Sequence, residues 1–418
     1  MTTAGAAAEG KPAAQEAPQG VAGLLHRAYD NMKSGNLGVL PIVIGLIFIV
    51  VFFSFKATNF FTATNFVNII IQMAGTAMLA YGVVFVLLLG EIDLSISYVA
   101  GIGALTVAEL QLPGSGHEIN GLLAMLCAVA ICAAIGAGQG SIVAYVGVPS
   151  FVVTLAGYLV WQGVILQRLE QPGSIIIQDR WINYTASYFF SHTAGWLIAA
   201  LVTGLYLISV IWTVVSHRRA GIPTKNKGTM IAKVLGVAAA SFGVVAICNH
   251  SYVQGNPLGL PLAGVIVVVF LIVLTFLAKR TTFGRHVYAV GGNAEAARRA
   301  GINVHRIRIL VFMISGAMAA CGGIILAANV NSVDLNFGGG TLLLNSIAAA
   351  VIGGVSLFGG RGEVRGAFLG ALVIATVSNG LNTAGYATGI IYIVTGLILL
   401  FAVTLDTIAR RLQVRSGR

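Results

Sequence analysis

Two carboxylates stand where water is scarce. Glu91 and Asp93, in Gly90-Glu91-Ile92-Asp93-Leu94-Ser95, fall between the apolar runs 65–89 and 94–110. A carboxylate at membrane depth is costly, so it caps a helix, pairs with a partner or lines a cavity. Asp93 and Ser95 are N-cap residue types and could satisfy the orphan N–H groups of the next helix. Glu91, Asp93 and Ser95 could equally form part of a translocation path or its gate, since transporters build midplane sites from broken helices. A second set is neutral: Asn68, Gln72, Asn345 and Asn379 lie within apolar segments, as do Asn65, Gln139 and Asn382. An amide both donates and accepts, which suits a hydroxyl-rich solute; it can also hold two helices together.

A third set lies in the basic stretch 279–308. Asn293 precedes Ala294-Glu295-Ala296-Ala297-Arg298-Arg299-Ala300 and Gly301 follows it. The composition predicts a two-turn helix with Asn293 as N-cap and Gly301 as the stop. Such a short helix needs a surface to pack on.

No phosphate-binding Gly-x4-Gly-Lys-[Ser/Thr], no His-Glu-x2-His and no Gly-x-Ser-x-Gly is present, so no nucleotide, zinc or acyl-transfer site is expected. Cys127, Cys132, Cys248 and Cys321 sit inside apolar runs without metal or redox spacing.

The elements that must carry these residues are membrane helices. Hydrophobic residues make up 57% of the chain and charged ones only 9%, against roughly 25% in soluble domains. Lipid admits only helices or closed barrels, and the long unbroken apolar runs lack the alternation of barrel strands. Twelve segments approach the ~20 residues that cross the hydrocarbon: 38–55, 65–89, 94–110, 121–146, 150–166, 195–215, 233–249, 258–278, 307–328, 342–358, 364–381 and 386–405. The expected fold is all-α, a polytopic bundle of ten to twelve spans.

With the N-terminus inside, 21 of the 24 Lys and Arg fall on the cytoplasmic side; Lys56, Arg168 and Arg180 fall outside. That asymmetry orients the chain with both termini cytoplasmic and accounts for the net charge of +11. The basic residues form no continuous face, so no nucleic-acid partner is implied. Residues 1–35 and 411–418 read as cytoplasmic tails flanking a transmembrane domain, 36–410. The outer connection 167–194 carries Trp181, Tyr184 and Tyr188, types that favour the membrane interface. Pro149-Ser150 marks a helix start with Ser150 able to cap. Stretch 353–362, Gly-Gly-Val-Ser-Leu-Phe-Gly-Gly-Arg-Gly, repeats the Gly and Ser interruption seen at 90–95.

These motifs carry a resemblance. Glu295-Ala296-Ala297 with Gly301 resembles the EAA loop of ATP-binding-cassette importer permeases. The flanking Tyr288-Ala289-Val290-Gly291-Gly292-Asn293 and Ala300-Gly301-Ile302-Asn303-Val304, together with Glu91-Ile92-Asp93-Leu94-Ser95, residues 148–157 and residues 353–362, are similar to the monosaccharide branch that includes ribose and xylose permeases. The xylose type is nearest, on Glu91 and on the added helices around 200–260. The longer EAA pattern's Ile-x-Leu-Pro ending is absent; Val311-Phe312-Met313-Ile314 stands there.

The resemblance implies a homodimer of permeases in the bacterial cytoplasmic membrane, two ATPase subunits that hold ATP and Mg²⁺, and an extracytoplasmic sugar-binding protein. It implies no cofactor in this chain, and it makes Asn293, Glu295, Ala296, Ala297 and Gly301 a coupling helix. The rival readings are a proton-coupled secondary transporter titrating Glu91 or Asp93, and an integral-membrane enzyme.

Overall fold

The computed structural model describes residues 40–114, 116, 118–221, 227–253 and 256–415; the N-terminal tail expected at 1–35 lies outside them. Among the described residues the chain is predominantly helical. The first half runs α1 (Leu40–Lys56), α2 (Ala63–Leu88), α3 (Ile96–Leu110), α4 (Gly121–Ser141, continued by a π-turn at Ile142–Val146) and α5 (Ser150–Leu169). An outer excursion follows, β1 (Ser174–Ile176), α6 (Arg180–Ser187) and β2 (Phe189–Phe190), and then the pair α7 (His192–Arg219) and α8 (Lys227–Asn249). Short strands β3 (Tyr252–Val253), β4 (Asn256–Pro257) and β5 (Leu260–Pro261) lead into α9 (Leu262–Arg280), α10 (Thr282–Gly292), α11 (Ala294–Arg299) and α12 (Val304–Val330). The chain closes with β6 (Ser332–Asp334), α13 (Leu342–Ile352), α14 (Val364–Thr383) and α15 (Thr388–Arg415).

Eight of these helices are long and apolar enough to cross a membrane, and α1, α3, α13 and the start of α15 are shorter apolar helices. Together they occupy the twelve expected segments. The strands only staple outer loops, β1 to β6, β2 to β5 and β3 to β4, each pair antiparallel. The last helix runs through Arg415, past the expected boundary at 410.

Helix α12 is the axis, packed against α2, α3 and α4. Small residues permit this. The Cα of Gly316 lies against the Cys132 carbonyl of α4, and that of Gly323 against the Ala100 carbonyl of α3; a methyl at either would collide with backbone. In lipid, such close approach lets dispersion and packing do what hydrophobicity does in water. Helix α2 lies almost wholly inside the bundle, and its two exposed residues are Asn68 and Gln72. Helices α7 and α8 are peripheral: they pair through a Trp196–Phe242 ring stack at 5.9 Å and a Thr203–Ser241 hydroxyl bond of 2.9 Å.

The segment expected as one span at 342–358 is broken. Helix α13 covers 11 residues, about 16 Å, and stops because Gly353 abuts the Gly366 backbone and Gly354 turns left-handed, φ +82°. The residues before it, 335–341, are not helical. They pack down the side of α3, with Phe337 beside Gly101 and Gly338 beside the Ser97 carbonyl. Ser97 lies thirteen residues below the outer end of α3, roughly 20 Å. Of these residues Gly338 is buried, while Asn336 and Gly340 are exposed; non-helical backbone at that depth is tolerated where it packs on protein or lines a cavity.

Replacing Gly323 with Leu should destabilise the bundle by about 1–3 kcal/mol, whereas Gly243→Leu, on open α8 surface, should change it little. Thermal melting of the two variants in detergent checks this; equal melting points would remove the close-packed axis.

Candidate functional site

The cytoplasmic connection between α9 and α12 is built from local signals. The Thr281 hydroxyl accepts the Gly284 N–H at 3.1 Å and starts α10. Phe283, Val287 and Val290, spaced four and three apart, turn inward, and the Phe283 ring stacks on Phe85 at 6.4 Å. This helix went unrecognised in the sequence, where Gly291-Gly292 reads as loop; the Thr281 cap and the apolar spacing were the available signal. After it, Asn293 Oδ1 accepts the Ala296 N–H at 2.9 Å. Gly301, at φ +84°, ends α11 by donating to the Arg298 carbonyl, and Ile302 donates to that of Ala297, both at 3.0 Å. Asn293 and Gly301 therefore cap α11 as their residue types suggest.

Ala297 is buried and anchors α11, while Asn293, Glu295 and Ala296 are exposed with Arg298 and Arg299. Glu295 pairs with Arg298 at 3.0 Å and with Arg299 at 3.1 Å, and hydrogen bonds from both hold its carboxyl below the usual carboxylate range.

Both helix breaks meet this connection. Gly291 lies so close to the Leu88 carbonyl that any side chain would collide with it, and Gly360 donates its N–H to the same oxygen at 2.8 Å. Gly90, at φ +76°, faces the backbone of Phe358 and Gly359. The two glycine-rich interruptions are therefore in contact, and α10 touches both. Further ties run from the Tyr288 hydroxyl to the Gly362 carbonyl, 2.7 Å, and from Lys279 to Glu363. On the other side, Arg308 in the first turns of α12 lies 3.1 Å from the Glu91 carboxylate.

Asp93 is buried and saturated. Its Oδ1 accepts the Ser95 N–H at 3.0 Å and the Ser95 hydroxyl at 2.7 Å; its Oδ2 accepts the Ser315 hydroxyl at 2.8 Å. Asp93 thus braces the entry to α3 and ties it to α12. The Gln139 amide of α4 lies 3.0 Å from the Ser95 oxygen. Ser150 does not cap its own helix: its hydroxyl oxygen accepts the Ile92 N–H at 3.1 Å. The break would otherwise leave that donor without a partner, so the non-local bond wins. Thr154 completes the clasp, its hydroxyl reaching the carbonyls of Ser150 at 2.9 Å and Ile92 at 3.2 Å. Asp93 and Ser95 show almost no surface in this conformation, and Glu91 shows a little.

The amides divide. Asn65 donates to Asn379 at 2.8 Å and Asn379 to Gln72 at 3.3 Å, linking α2 to α14. Asn379 is buried, whereas Gln72 and Asn68 stand on the exposed stripe of α2. Asn345 donates to Thr341 at 3.2 Å at the head of α13, and its carbonyl oxygen is buried without a partner.

Residues 65–403 match the family model described as the permease component of the branched-chain amino acid transport system. The match spans the connection between α9 and α12 and both breaks. The chain belongs to this permease family. The permease is 33% identical over 388 residues to the xylose transport system permease protein XylH of Escherichia coli (strain K12), covering 92% of this chain and 95% of that protein. It is 33% identical over 379 residues to the XylH of Haemophilus influenzae, covering 90% and 98%. The ribose import permease protein RbsC of Escherichia coli (strain K12) is 30% identical over 364 residues, covering 87% and 92%. No solved structure matches the chain. The permease is a multi-pass protein of the cytoplasmic membrane.

If the Asp93 carboxyl braces the break rather than exchanging protons, Asp93→Asn should keep the fold, since the amide can accept from Ser95 and donate to the Ser315 oxygen. Asp93→Leu orphans buried donors at about 1–3 kcal/mol each and should melt at clearly lower temperature in detergent. An Asn variant as damaged as the Leu variant would show that the charge itself is required.

Proposed function

We propose that this permease is the membrane-spanning subunit of an ATP-driven importer that carries a monosaccharide, xylose or a related pentose, into the cytoplasm. The observation that carries the reading is α11, a capped helix with an uncovered polar face, mounted between α10 and α12 where both press on the helix breaks. The names of the curated relatives support a pentose as cargo.

In this reading a partner ATPase docks on Asn293, Glu295, Ala296 and the neighbouring arginines, and Ala297 and Gly301 keep the helix in shape to receive it. ATP and Mg²⁺ reside on that partner. An extracytoplasmic binding protein presents the sugar from outside. A second copy of the permease covers the α2 stripe, because the exposed amides of Asn68 and Gln72 would be costly against hydrocarbon. Between the two copies those amides, with Asn345 and Asn379, offer donors and acceptors to a sugar's hydroxyl groups. Glu91, Asp93 and Ser95 belong to the inner gate, Asp93 and Ser95 as its brace and Glu91 as its charge. Movement of α11 rocks the bundle between outward and inward openings, the bistable change that alternating access requires.

Gly301 tests the coupling. Its φ of +84° disfavours any side chain, and nothing crowds the position, so Gly301→Val should distort the end of α11 alone. ATP-dependent xylose uptake in proteoliposomes of the assembled complex should fall by about tenfold or more, with the permease inserted in normal amount. Unchanged uptake would remove the coupling assignment. Uptake by the permease alone under a pH gradient would replace the ATP-driven reading with a proton-coupled one.

A further inference from the structure

The two ends of the coupling connection converge on one turn of backbone. Residues 88–91 join the inner end of α2 to the break. Gly291, at the close of α10, presses on the Leu88 carbonyl from one side, and Gly360 donates to that same oxygen at 2.8 Å. Arg308, at the start of α12, holds Glu91 from the other side at 3.1 Å. Between Gly291 and Arg308 the chain carries α11 and little else. The exposed helix is thus slung between two jaws that grip the same turn.

The jaws differ in kind. The Gly291 contact is backbone against backbone and has no slack, because a single methyl would not fit. The Arg308–Glu91 contact is electrostatic and half-buried, with side chains 29% and 15% exposed. Removing one partner of such a pair leaves an uncompensated charge away from water. Above the turn, α2 continues unbroken for 26 residues, about 39 Å, and carries Asn68 and Gln72 near its far end.

We propose that turn 88–91 is where displacement of α11 enters the membrane, that α2 carries it as a rod to the amide-bearing outer half, and that Gly291 and Arg308 are the positioning residues that grip the turn. The inference rests on the ATP-driven reading above and adds the route by which the stroke travels. Arg308 matters through Glu91: it keeps the turn seated so that a push at Gly291 moves α2 rather than deforming the break.

The test uses the intact complex in proteoliposomes, with xylose as the transported probe, and reads xylose moved per ATP hydrolysed. A purely structural defect would lower the amount of complex and leave that ratio alone. Arg308→Glu should lower the ratio by about tenfold, and the exchange Arg308→Glu with Glu91→Arg should restore most of it. Gly291→Ala should resemble Arg308→Glu, while Gly292→Ala, whose added methyl meets nothing, should resemble the wild type. If Gly291→Ala fails to reach the membrane, the charge series decides alone. A wild-type ratio in Arg308→Glu, or no recovery on exchange, overturns the proposal. Absence of ATP-dependent uptake by the wild-type complex would instead defeat the importer reading, and the two failures are thereby told apart.

Discussion

Contact between bare backbones is the constraint on which this permease hangs. Water cannot push helices together inside a bilayer, so association relies on close packing and on hydrogen bonds. Helix α12 exploits both. Gly316 and Gly323 bring it against α4 and α3, and its polar side chains then reach groups that would be out of range at ordinary helix spacing. Ser315 holds Asp93 at 2.8 Å, Arg308 sits 3.1 Å from Glu91, and the His305 ring nitrogen lies 2.5 Å from the Ala144 carbonyl. The break at 90–95 is positioned from α12, and α12 is itself positioned by what its glycines lack.

A helix broken inside a membrane must return every backbone group it frees. The break after α2 does so with little waste. Gly90 and Glu91 donate back to Leu87 and Val86 at 2.8 and 3.2 Å, Ile92 donates to Ser150, and Ser95 donates to Asp93. The Leu88 carbonyl is taken by Gly360 from the second break. Some of these bonds close within α2 and the break, and others reach Ser150, Ser315 and Gly360, so the turn cannot shift without loosening contacts to α5, α12 and the 353–363 stretch. A region built this way is stable in one seating and, if displaced, must find another complete set. That demand explains why ordinary-looking serines and glycines surround the carboxylates.

How much of this the sequence disclosed follows the range of each interaction. The twelve apolar segments are properties of composition within a window and were legible, although the one at 342–358 is broken at Gly353. So were the caps of α11, because Asn293 and Gly301 act within three residues of themselves. The clasp of Ile92 by Ser150 was not, since proximity of residues 58 apart leaves no local mark, and Ser150 beside a proline looks like a cap. Helix α10 was hidden by its terminal Gly291-Gly292. Gly291 is there for the approach to Leu88 and Gly360 rather than to end a loop. The glycine-rich 335–341 segment fell between the expected spans, and its sequence carries no local sign that it packs along α3. The polar amides were recognisable as a set, but which of them would pair, Asn65 with Asn379 and Asn379 with Gln72, depended on how α2 and α14 face each other.

Hydropathy and burial part company in the peripheral helices, and the reason is instructive. Helices α7 and α2 are about equally apolar, yet the best apolar stretch of α2 is 83% buried and that of α7 only 6%. Glycine alone does not decide the matter either, because Gly204, Gly236 and Gly243 on α7 and α8 face open space. What distinguishes α2 is that its small residues meet other backbones: Gly82 lies beside Ser315 of α12, and the Gly75 carbonyl beside Gly322. Apolarity sends a segment into the bilayer, and matched small residues then choose its neighbours. The α7–α8 pair lacks that matching. It holds to α2 through a small outer cluster of Val67, Ile70, Ala199, Val245, Cys248 and Leu260. The permease therefore divides into a close-packed inner bundle that carries the break at 90–95 and a looser hairpin with an exposed apolar surface.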